Sequence, residues 1–587
     1  MTPDIARLLE RMTLLEKIGQ MTQVDVHSLR EGAVREFGIG SVLSGGGGNP
    51  TPNNSSAWAE MVRRVQSEAL ESRLGIPLLY GVDAIHGHNN LHGATIFPHN
   101  VGLGAARDAD LVERIGRVTA SELLATNVHW TFAPAVSVPQ DIRWGRTFEG
   151  FSQDPALVSS LGAAFIRGLN GNQRPVLASP KHFMGDGGTT WGSTRRYEWV
   201  QGWWNSEEPD RWQLDQGDLR ADEASLRSVH LPPYEEAIEA GALSIMISYS
   251  SWNGEKLHAH RYLLTDVLKG ELGFQGFLVS DWLGVSQLDS NFEKAVCLGI
   301  NAGLDMVMVP YEYERFISAV EAGVETGIIP ASRIEDACRR ILQVKAAVGL
   351  FDEPFGDDDL LPLVGNAAHR AVAREAVVKS QVLLKNEAAA LPLSPDVRRL
   401  LVAGAAADDI GLQCGGWTIE WQGGRGAITD GTTLLQGIAA TVSPDASLVF
   451  RANGEFGGER GEIGIVVLSE PPYSEGEGDR FDLSLPVDDV ELVRRVRGQC
   501  DVLVLVIYSG RPLIIGDVLD SCDALVAAWL PGTEANGVAD VLFGKQPFTG
   551  RLPYDWPETM DQVRSPNGSA PLFPISYGLT TGGRPPD

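Results

Sequence analysis

Short apolar runs alternate with segments of helical periodicity over the first 350 residues. Each run is too short for a helix, and the run at 277–280 has the composition of a strand buried on both faces. About eight such βα units over this length predict a (β/α)8 barrel. The predicted strands are 40–43, 77–82, 130–133, 176–179, 243–248 and 277–280, with two more implied near 302–306 and in an early segment.

The second half of the chain predicts a separate α/β domain, because 587 residues exceed what one core normally holds. A predicted helix over Ser332–Leu350 ends the barrel, and a helix over His369–Lys385 begins the second domain. Apolar strands at 400–404, 464–468, 502–507 and 524–529 then predict an open α/β sandwich. The predicted divisions are a barrel at 1–350, a linker at 351–365, a sandwich at 366–560 and a tail at 561–587.

The charge and cysteine content narrow the class of protein. Seventy-six acidic and 48 basic residues give a net charge of −28, which argues against nucleic acid or an anionic membrane as a partner. Five scattered cysteines without CxxC spacing favour reduced thiols over a disulfide framework or a zinc site.

Residues 1–20 are predicted to form one amphipathic helix and lack the features of a signal peptide, so we expect a cytoplasmic protein. A secreted or periplasmic protein that has lost its leader would look the same, and the oligomeric state is not predicted.

The strand at 277–280 ends in a carboxylate, Asp281, followed by an indole, Trp282. Barrel enzymes keep their chemistry at the carboxyl ends of the strands. A carboxylate beside a large aromatic plane suggests a polyol or sugar substrate. The alternative is that Asp281 only caps the next helix.

Other predicted strand ends deliver similar polar groups. Asp83 follows one strand, Lys181 and His182 follow another, and Arg143 and Arg146 flank an indole. Charged donors and acceptors form the strongest hydrogen bonds to sugar hydroxyls. His86 and His88 could share a metal ion, but no third ligand is obvious, so we predict neither a metal nor a cofactor.

Several long motifs resemble glycoside hydrolase family 3, and the resemblance covers about residues 10–580. The resemblance is to its two-domain exo-β-glucanase/β-glucosidase branch, which includes plant β-D-glucan exohydrolases and bacterial relatives. The motifs are Tyr80–Asn90, Arg143–Arg146, Lys181–Phe183, Ser248–Gly254, Ser280–Trp282, Cys414–Gly423 and Pro471–Glu475.

This resemblance implies a retaining, exo-acting enzyme that releases glucose from the non-reducing end of β-glucans, oligosaccharides or glucosides. Asp281 matches the family's nucleophile, and Glu475 matches its general acid/base, on a loop of the second domain. The site would then be an interdomain cleft. The implied ligands of the terminal sugar are Asp83, Arg146, Lys181, His182, Met246 and Tyr249, and the implied clamping indoles are Trp282 and Trp421.

Charge considerations agree with these roles. Lys181 and Arg146 would hold Asp281 ionised. Glu475 stands among Glu470, Glu477 and Asp479, and such crowding of negative charge favours a protonated carboxyl.

Two departures from the plant enzymes concern the leaving-group side. Gln287 stands where they have an Arg, and Asp215 or Asp218 would replace one of their Glu residues. An insertion at 197–220 holds four tryptophans, which we interpret as a lid or binding wall rather than core.

Four other functions compete with β-glucosidase activity. An N-acetylglucosaminidase is disfavoured, because those enzymes carry Lys-His-Phe-Pro-Gly-His-Gly and residues 181–187 read differently. A β-xylosidase of the same mechanism stays open, since one or two contacts decide the sugar. A transglycosidase would use the same residues, whereas a non-catalytic sugar binder would not need both Asp281 and Glu475.

Overall fold

A computed structural model of the chain describes residues 4–200, 209–565 and 568–581. The strands are β1 Thr22–Asp25, β2 Ser41–Ser44, β3 Leu79–Val82, β4 Trp130–Thr131, β5 Leu177–Ala178, β6 Asp218–Leu219, β7 Ser244–Met246, β8 Ser251–Trp252, β9 Glu255–Lys256, β10 Phe277–Val279, β11 Val307–Met308, β12 Val382–Asn386, β13 Arg399–Ala403, β14 Ser447–Phe450, β15 Gly461–Ser469, β16 Cys500–Tyr508 and β17 Ala524–Ala527. The α-helices are α1 Ile5–Arg11, α2 Leu14–Gln20, α3 Ala33–Phe37, α4 Ser55–Leu70, α5 Asn100–Ala106, α6 Ala109–Ala125, α7 Pro155–Asn170, α8 Glu223–Val229, α9 Pro232–Glu239, α10 Phe292–Ala302, α11 Tyr313–Glu325, α12 Ala331–Ala347, α13 Ala367–Ser380, α14 Ile410–Cys414, α15 Leu434–Ala439, α16 Val487–Arg497, α17 Gly516–Leu519, α18 Asn536–Leu542 and α19 Met560–Arg564. A π-helix covers Tyr262–Glu271.

Eight parallel strands form a closed ring in the first half of the chain. Six of them pair in the order β11-β1-β2-β3-β4-β5, and β7 pairs with β10. Parallel bridges between Phe183 and Ile247 and between Val279 and Met306 join these two groups into a ring. The fold class predicted for this half, a (β/α)8 barrel, is confirmed. Each of the six predicted strand runs overlaps an observed strand, and the two implied strands are β1 and β11.

The chain divides into two compact units whose boundaries differ from the predicted domains. The first comprises residues 1–91, 116–138 and 162–364, and the second comprises 92–115, 139–161 and 365–587. The sequence pattern assigns 92–115 and 139–161 to the barrel because they lie between barrel strands. In the structure, α5 packs against α13, and Ser152 Oγ donates to the Pro553 carbonyl, so these segments group with the second unit.

The second unit is built on one six-stranded sheet. Its strand order is β12-β17-β16-β15-β13-β14, and only the β12–β17 pair is antiparallel. The predicted helix over 369–385 is wrong in its last part, because α13 ends at Ser380 and β12 follows. Pairing with β17 and burial of Val382, Leu383 and Leu384 outweigh the helical pattern there.

The amino-terminal helix also differs from its prediction. Residues 5–20 form two helices, since Thr13 begins a new one with a capping box to Glu16. In the described ranges, no helix is both long and apolar enough to cross a membrane. All five cysteines are free thiols.

Lys345 on α12 makes the free energy of unfolding depend on pH. Its fully buried Nζ donates to Gln20 Oε1 over 2.6 Å, and burial lowers its pKa from 10.5 to about 7. Between those pH values the unfolded chain binds more protons than the folded one, so this group makes stability rise with pH.

We expect Lys345→Met to remove that rise, which is at most about 1.4 kcal/mol for each pH unit. Denaturant unfolding of both proteins at pH 7 and pH 9 measures it, and the difference between them isolates Lys345 from other titrating groups. Equal pH slopes in the two proteins would contradict the assignment.

Candidate active site

Residues predicted for the site lie at one rim of the barrel, where the carboxyl ends of the parallel strands meet. These residues are Asp83 after β3, Lys181 and His182 after β5, Met246 at the end of β7, Tyr249 shortly after it, and Asp281 and Trp282 after β10. The roles we assign to them stay predictions.

Asp281 is nearly buried and is fixed from three sides. Its backbone N–H donates to His258 Nε2 over 3.0 Å, and its Oδ1 accepts the Trp282 N–H over 2.7 Å. Its Oδ2 lies 3.6 Å from His182 Nε2. Burial lowers the pKa of His258 to about 3, so this imidazole is neutral and its Nε2 can accept a hydrogen bond. Gly284 is required beside it, since a Cβ there would lie 2.4 Å from His258 Nε2.

The imidazole of His182 is oriented by a carboxylate that sequence analysis missed. His182 Nδ1 lies 2.8 Å from Asp186 Oδ2, which also accepts Ser137 Oγ over 2.7 Å. The Gly187 N–H donates to the other Asp186 oxygen. With Nδ1 held in this way, Nε2 is directed at Asp281. The signal was available, because Asp186 closes the segment that begins with Lys181-His182.

Lys181 and Asp83 form a buried ion pair at the same rim. Lys181 Nζ lies 2.9 Å from Asp83 Oδ1, and the ammonium group is almost inaccessible to water. The expectation that Lys181 and Arg146 hold Asp281 ionised stays a prediction. A paired ammonium and carboxylate present both donors and acceptors to a sugar hydroxyl.

Tyr249 is hydrogen-bonded to the Trp282 backbone and to a partly buried lysine. Its hydroxyl donates to the Trp282 carbonyl over 2.5 Å, while its own carbonyl accepts Lys256 Nζ. Lys256 Nζ also donates to Gln287 Oε1 over 2.8 Å, and burial lowers its pKa to about 7. Gln287 replaces the plant arginine, so Lys256 places an amine directly beside that position.

The tryptophans of the insertion do not share one environment. Trp199 is 47% exposed, and its indole N–H donates to the Ser286 carbonyl over 3.0 Å. Trp212 is fully buried, so the interpretation as lid or binding wall is wrong for this residue. Trp203 and Trp204 lie outside the described residues. Asp215 is buried, and Asp218 Oδ1 accepts the Gly254 N–H.

His88 is a core residue. It packs edge-on against Trp58, its Nε2 lies 2.9 Å from Thr126 Oγ1, and burial lowers its pKa to about 3. Among the residues that the structure describes, no group of three or more His, Cys, Asp or Glu is arranged to hold a metal ion.

The second unit holds Glu475 in a cluster of buried charges. Arg146 donates from Nε and Nη2 to the two carboxylate oxygens of Glu149, each over 2.9 Å, and its Nη1 lies 3.4 Å from Glu475 Oε1. The Trp417 indole N–H donates to Glu149 Oε1 over 3.0 Å. Arg146 is therefore aimed at Glu475 by a second carboxylate, Glu149, which sequence analysis missed.

The loop of Glu475 packs directly on the backbone of Gly145. A Cβ at Gly145 would lie 1.9 Å from the Glu475 carbonyl oxygen, so only glycine fits. The Gly145 N–H donates to Asp479 Oδ1 over 2.8 Å. Glu475 itself has a φ of 54°, which a non-glycine residue adopts when its surroundings fix it.

A buried ion pair anchors this loop. Glu470 accepts Arg511 Nε over 3.2 Å and the Tyr473 hydroxyl over 2.8 Å, and Arg511 also donates to the carbonyls of Arg143 and Gly478. Burial raises the pKa of Glu470, but the charges of Arg511 and Arg480 outweigh burial and lower it overall. These contacts offset the negative charge that we expected to crowd Glu475.

Trp421 and Trp417 belong to a neighbouring loop of this unit. Trp421 is half-buried. Its carbonyl accepts the Ser474 hydroxyl over 2.6 Å and the backbone N–H of Trp417 over 2.9 Å. The loop with Trp421 is thus bonded to the residue that precedes Glu475.

Comparison with known families decides the classification. Residues 13–203 and 213–344 match the glycosyl hydrolase family 3 N-terminal domain, and residues 381–581 match the C-terminal domain of that family. The chain belongs to glycoside hydrolase family 3. It is therefore a glycoside hydrolase, and its barrel and α/β sandwich are the two domains of that family.

Similar proteins extend over nearly the whole chain. A lysosomal β-glucosidase from Dictyostelium discoideum is 31% identical, over 98% of this chain and 75% of the relative. A mutant of an exo-1,3/1,4-β-glucanase from a Pseudoalteromonas species is 38% identical with a TM-score of 0.91, over 98% of this chain and 95% of that one. A mutant β-glucosidase from Listeria innocua, crystallised with laminaribiose, is 25% identical with a TM-score of 0.82, over 98% and 83%.

We expect Arg511→Met to lower the free energy of unfolding by about 3–5 kcal/mol, because it leaves Glu470 buried beside fewer cations. Chemical denaturation measures this loss. The double variant Glu470→Gln with Arg511→Met also removes the uncompensated charge. It should therefore be more stable than Arg511→Met alone. A double variant with the summed loss of the two single changes would contradict the buried-pair account.

Proposed function

We propose that this family 3 enzyme is a retaining, exo-acting β-glucosidase that releases glucose from the non-reducing end of β-glucans, oligosaccharides or glucosides. The observation that supports this best is the fixed carboxylate of Asp281 at the barrel rim. Its Oδ1 accepts the Trp282 N–H, its Oδ2 lies 3.6 Å from His182 Nε2, and the Lys181–Asp83 pair lies at the same rim. The names of the similar proteins, a β-glucosidase and an exo-1,3/1,4-β-glucanase, support the same activity.

In the proposed reaction, Asp281 attacks the anomeric carbon and forms a glycosyl-enzyme. Glu475 gives a proton to the departing glycosidic oxygen and then takes one from the water that releases glucose. His182, held by Asp186, fixes the orientation of Asp281. Arg146, held by Glu149, fixes that of Glu475.

The remaining predicted residues would bind the sugar. Asp83, Lys181 and Arg146 offer charged partners for hydroxyl groups. Met246 and Tyr249 would contact the terminal glucose, and Trp282 and Trp421 would stack on the sugar that leaves.

Asp281→Asn should lower kcat for aryl β-glucosides at least about a thousandfold, because an amide cannot form the glycosyl-enzyme. Aglycone release from a panel of aryl glucoside, xyloside, N-acetylglucosaminide and galactoside measures both the reaction and the sugar preference. Asp266→Asn is the matched control, since this exposed aspartate forms a surface ion pair with Arg261.

Cleavage of the glucoside that disappears in Asp281→Asn supports the proposal. If the enzyme prefers the xyloside, the proposed mechanism stands, but the sugar that it releases is xylose rather than glucose. Wild-type rates in Asp281→Asn would reject the nucleophile.

Glu475→Ala should slow glucosides with poor leaving groups far more than activated aryl glucosides, since only the former need a proton from the enzyme. Azide should restore turnover of activated substrates by attacking the glycosyl-enzyme in place of water. The check is a series of aryl glucosides of graded leaving-group pKa, with and without azide. An equal loss across the series without rescue would reject Glu475 as the acid/base.

A further inference from the structure

Tyr311 is an exposed aromatic residue at the barrel rim, and it is not among the residues proposed above for catalysis or sugar binding. It lies three residues after β11, and 55% of it is exposed to solvent. Its ring lies 5.7 Å from that of Trp282, and the two planes are nearly perpendicular at 83°. Two aromatic rings side by side make a contiguous apolar surface, and such surfaces can mark ligand-binding grooves.

Four neighbouring strands of the ring hold this aromatic pair. The order β10-β11-β1-β2 places Trp282, Tyr311, Asp25 and Gly45 at adjacent strand ends. A Cβ at Gly45 would lie 3.2 Å from Trp282 Cζ3, so the indole lies directly against this glycine.

The two perpendicular rings form an aromatic corner, defined here as Trp282 and Tyr311. Sugar rings stack through their C–H faces on aromatic planes, which bury apolar area without losing hydroxyl hydrogen bonds. A sugar on Trp282 occupies one side of the corner. The other side, Tyr311, is then available to the next sugar of the same chain.

We propose that Tyr311 is a second aglycone-binding plate, which contacts the sugar that follows the one on Trp282 and so favours β-gluco-oligosaccharides of three or more units. This inference rests on the proposed function. It assigns a substrate length preference to a residue outside the motifs that mark the family resemblance.

If Tyr311 only held Trp282 in place, its loss would affect the substrates in a different pattern from the loss of a second plate. Loss of positioning would weaken every substrate that reaches Trp282, including a disaccharide. Loss of a second plate weakens only substrates long enough to reach Tyr311. The ratio of kcat/KM for laminaritetraose to that for laminaribiose therefore separates the two roles.

We expect Tyr311→Ala to lower this ratio about three- to tenfold, the range of a lost aromatic contact. Tyr311→Phe keeps the ring and removes the hydroxyl, so the ratio should stay close to that of the wild type. Ile328→Ala is the matched control. It removes another exposed apolar side chain beyond the opposite end of α11.

An unchanged ratio in Tyr311→Ala would overturn the inference, as would an equal loss on laminaribiose and laminaritetraose. A Tyr311→Phe variant as impaired as Tyr311→Ala would also overturn it, because the hydroxyl and not the plate would then matter. A wild-type enzyme that cleaves no β-glucoside at all would instead reject the proposed function. The two failures are thus distinguishable.

Discussion

Closure of the parallel strand ring is the constraint on which the barrel site depends. Once β11 pairs with β1 and β5 joins β7, all eight strands point the same way, so their carboxyl ends meet at one rim. Residues far apart in sequence, such as Asp83 and Lys181, can then form an ion pair of 2.9 Å. The strands are short and buried, so the rim is a rigid frame on which Asp281 is held.

In the second unit, ion pairs hold the charged loop that carries Glu475. Glu475 stands on a helical turn, a 3-10 helix over Glu475–Gly478, rather than at a strand end, and its backbone conformation is unusual for a non-glycine residue. Two charged pairs secure the turn: Arg146 with Glu149, and Arg511 with Glu470. Burying charges is costly, and the many backbone carbonyls that Arg511 contacts offset that cost. Each carboxyl group proposed for catalysis is thus oriented by residues that would not take part in the chemistry.

The sequence could predict the barrel because six of its eight strands coincide with short apolar runs, and it could place Asp281 directly after a strand because that residue follows such a run. It could not predict where α13 stops, since the pairing of β12 with β17 decides this. The grouping of 139–161 with the second unit depends on contacts with residues several hundred positions away. The contacts of His258 and Tyr311 with Asp281 and Trp282 could not be predicted, because those residues are more than 20 positions apart in the chain. Glu149 lies only three residues after Arg146, but nothing in the sequence shows that the two side chains pair. Asp186 is the exception, as it lies within a segment already singled out.

The central claim is that Asp281 becomes covalently bonded to the sugar. An activated 2-deoxy-2-fluoro-β-glucoside tests it most directly, because the fluorine slows hydrolysis of the glycosyl-enzyme so that this intermediate accumulates. The account predicts a protein heavier by one fluoroglucosyl group, with the label on the peptide that contains Asp281 and none on the Asp281→Asn variant. A label on another carboxylate, or turnover of ordinary substrate without any trapped intermediate, would contradict it.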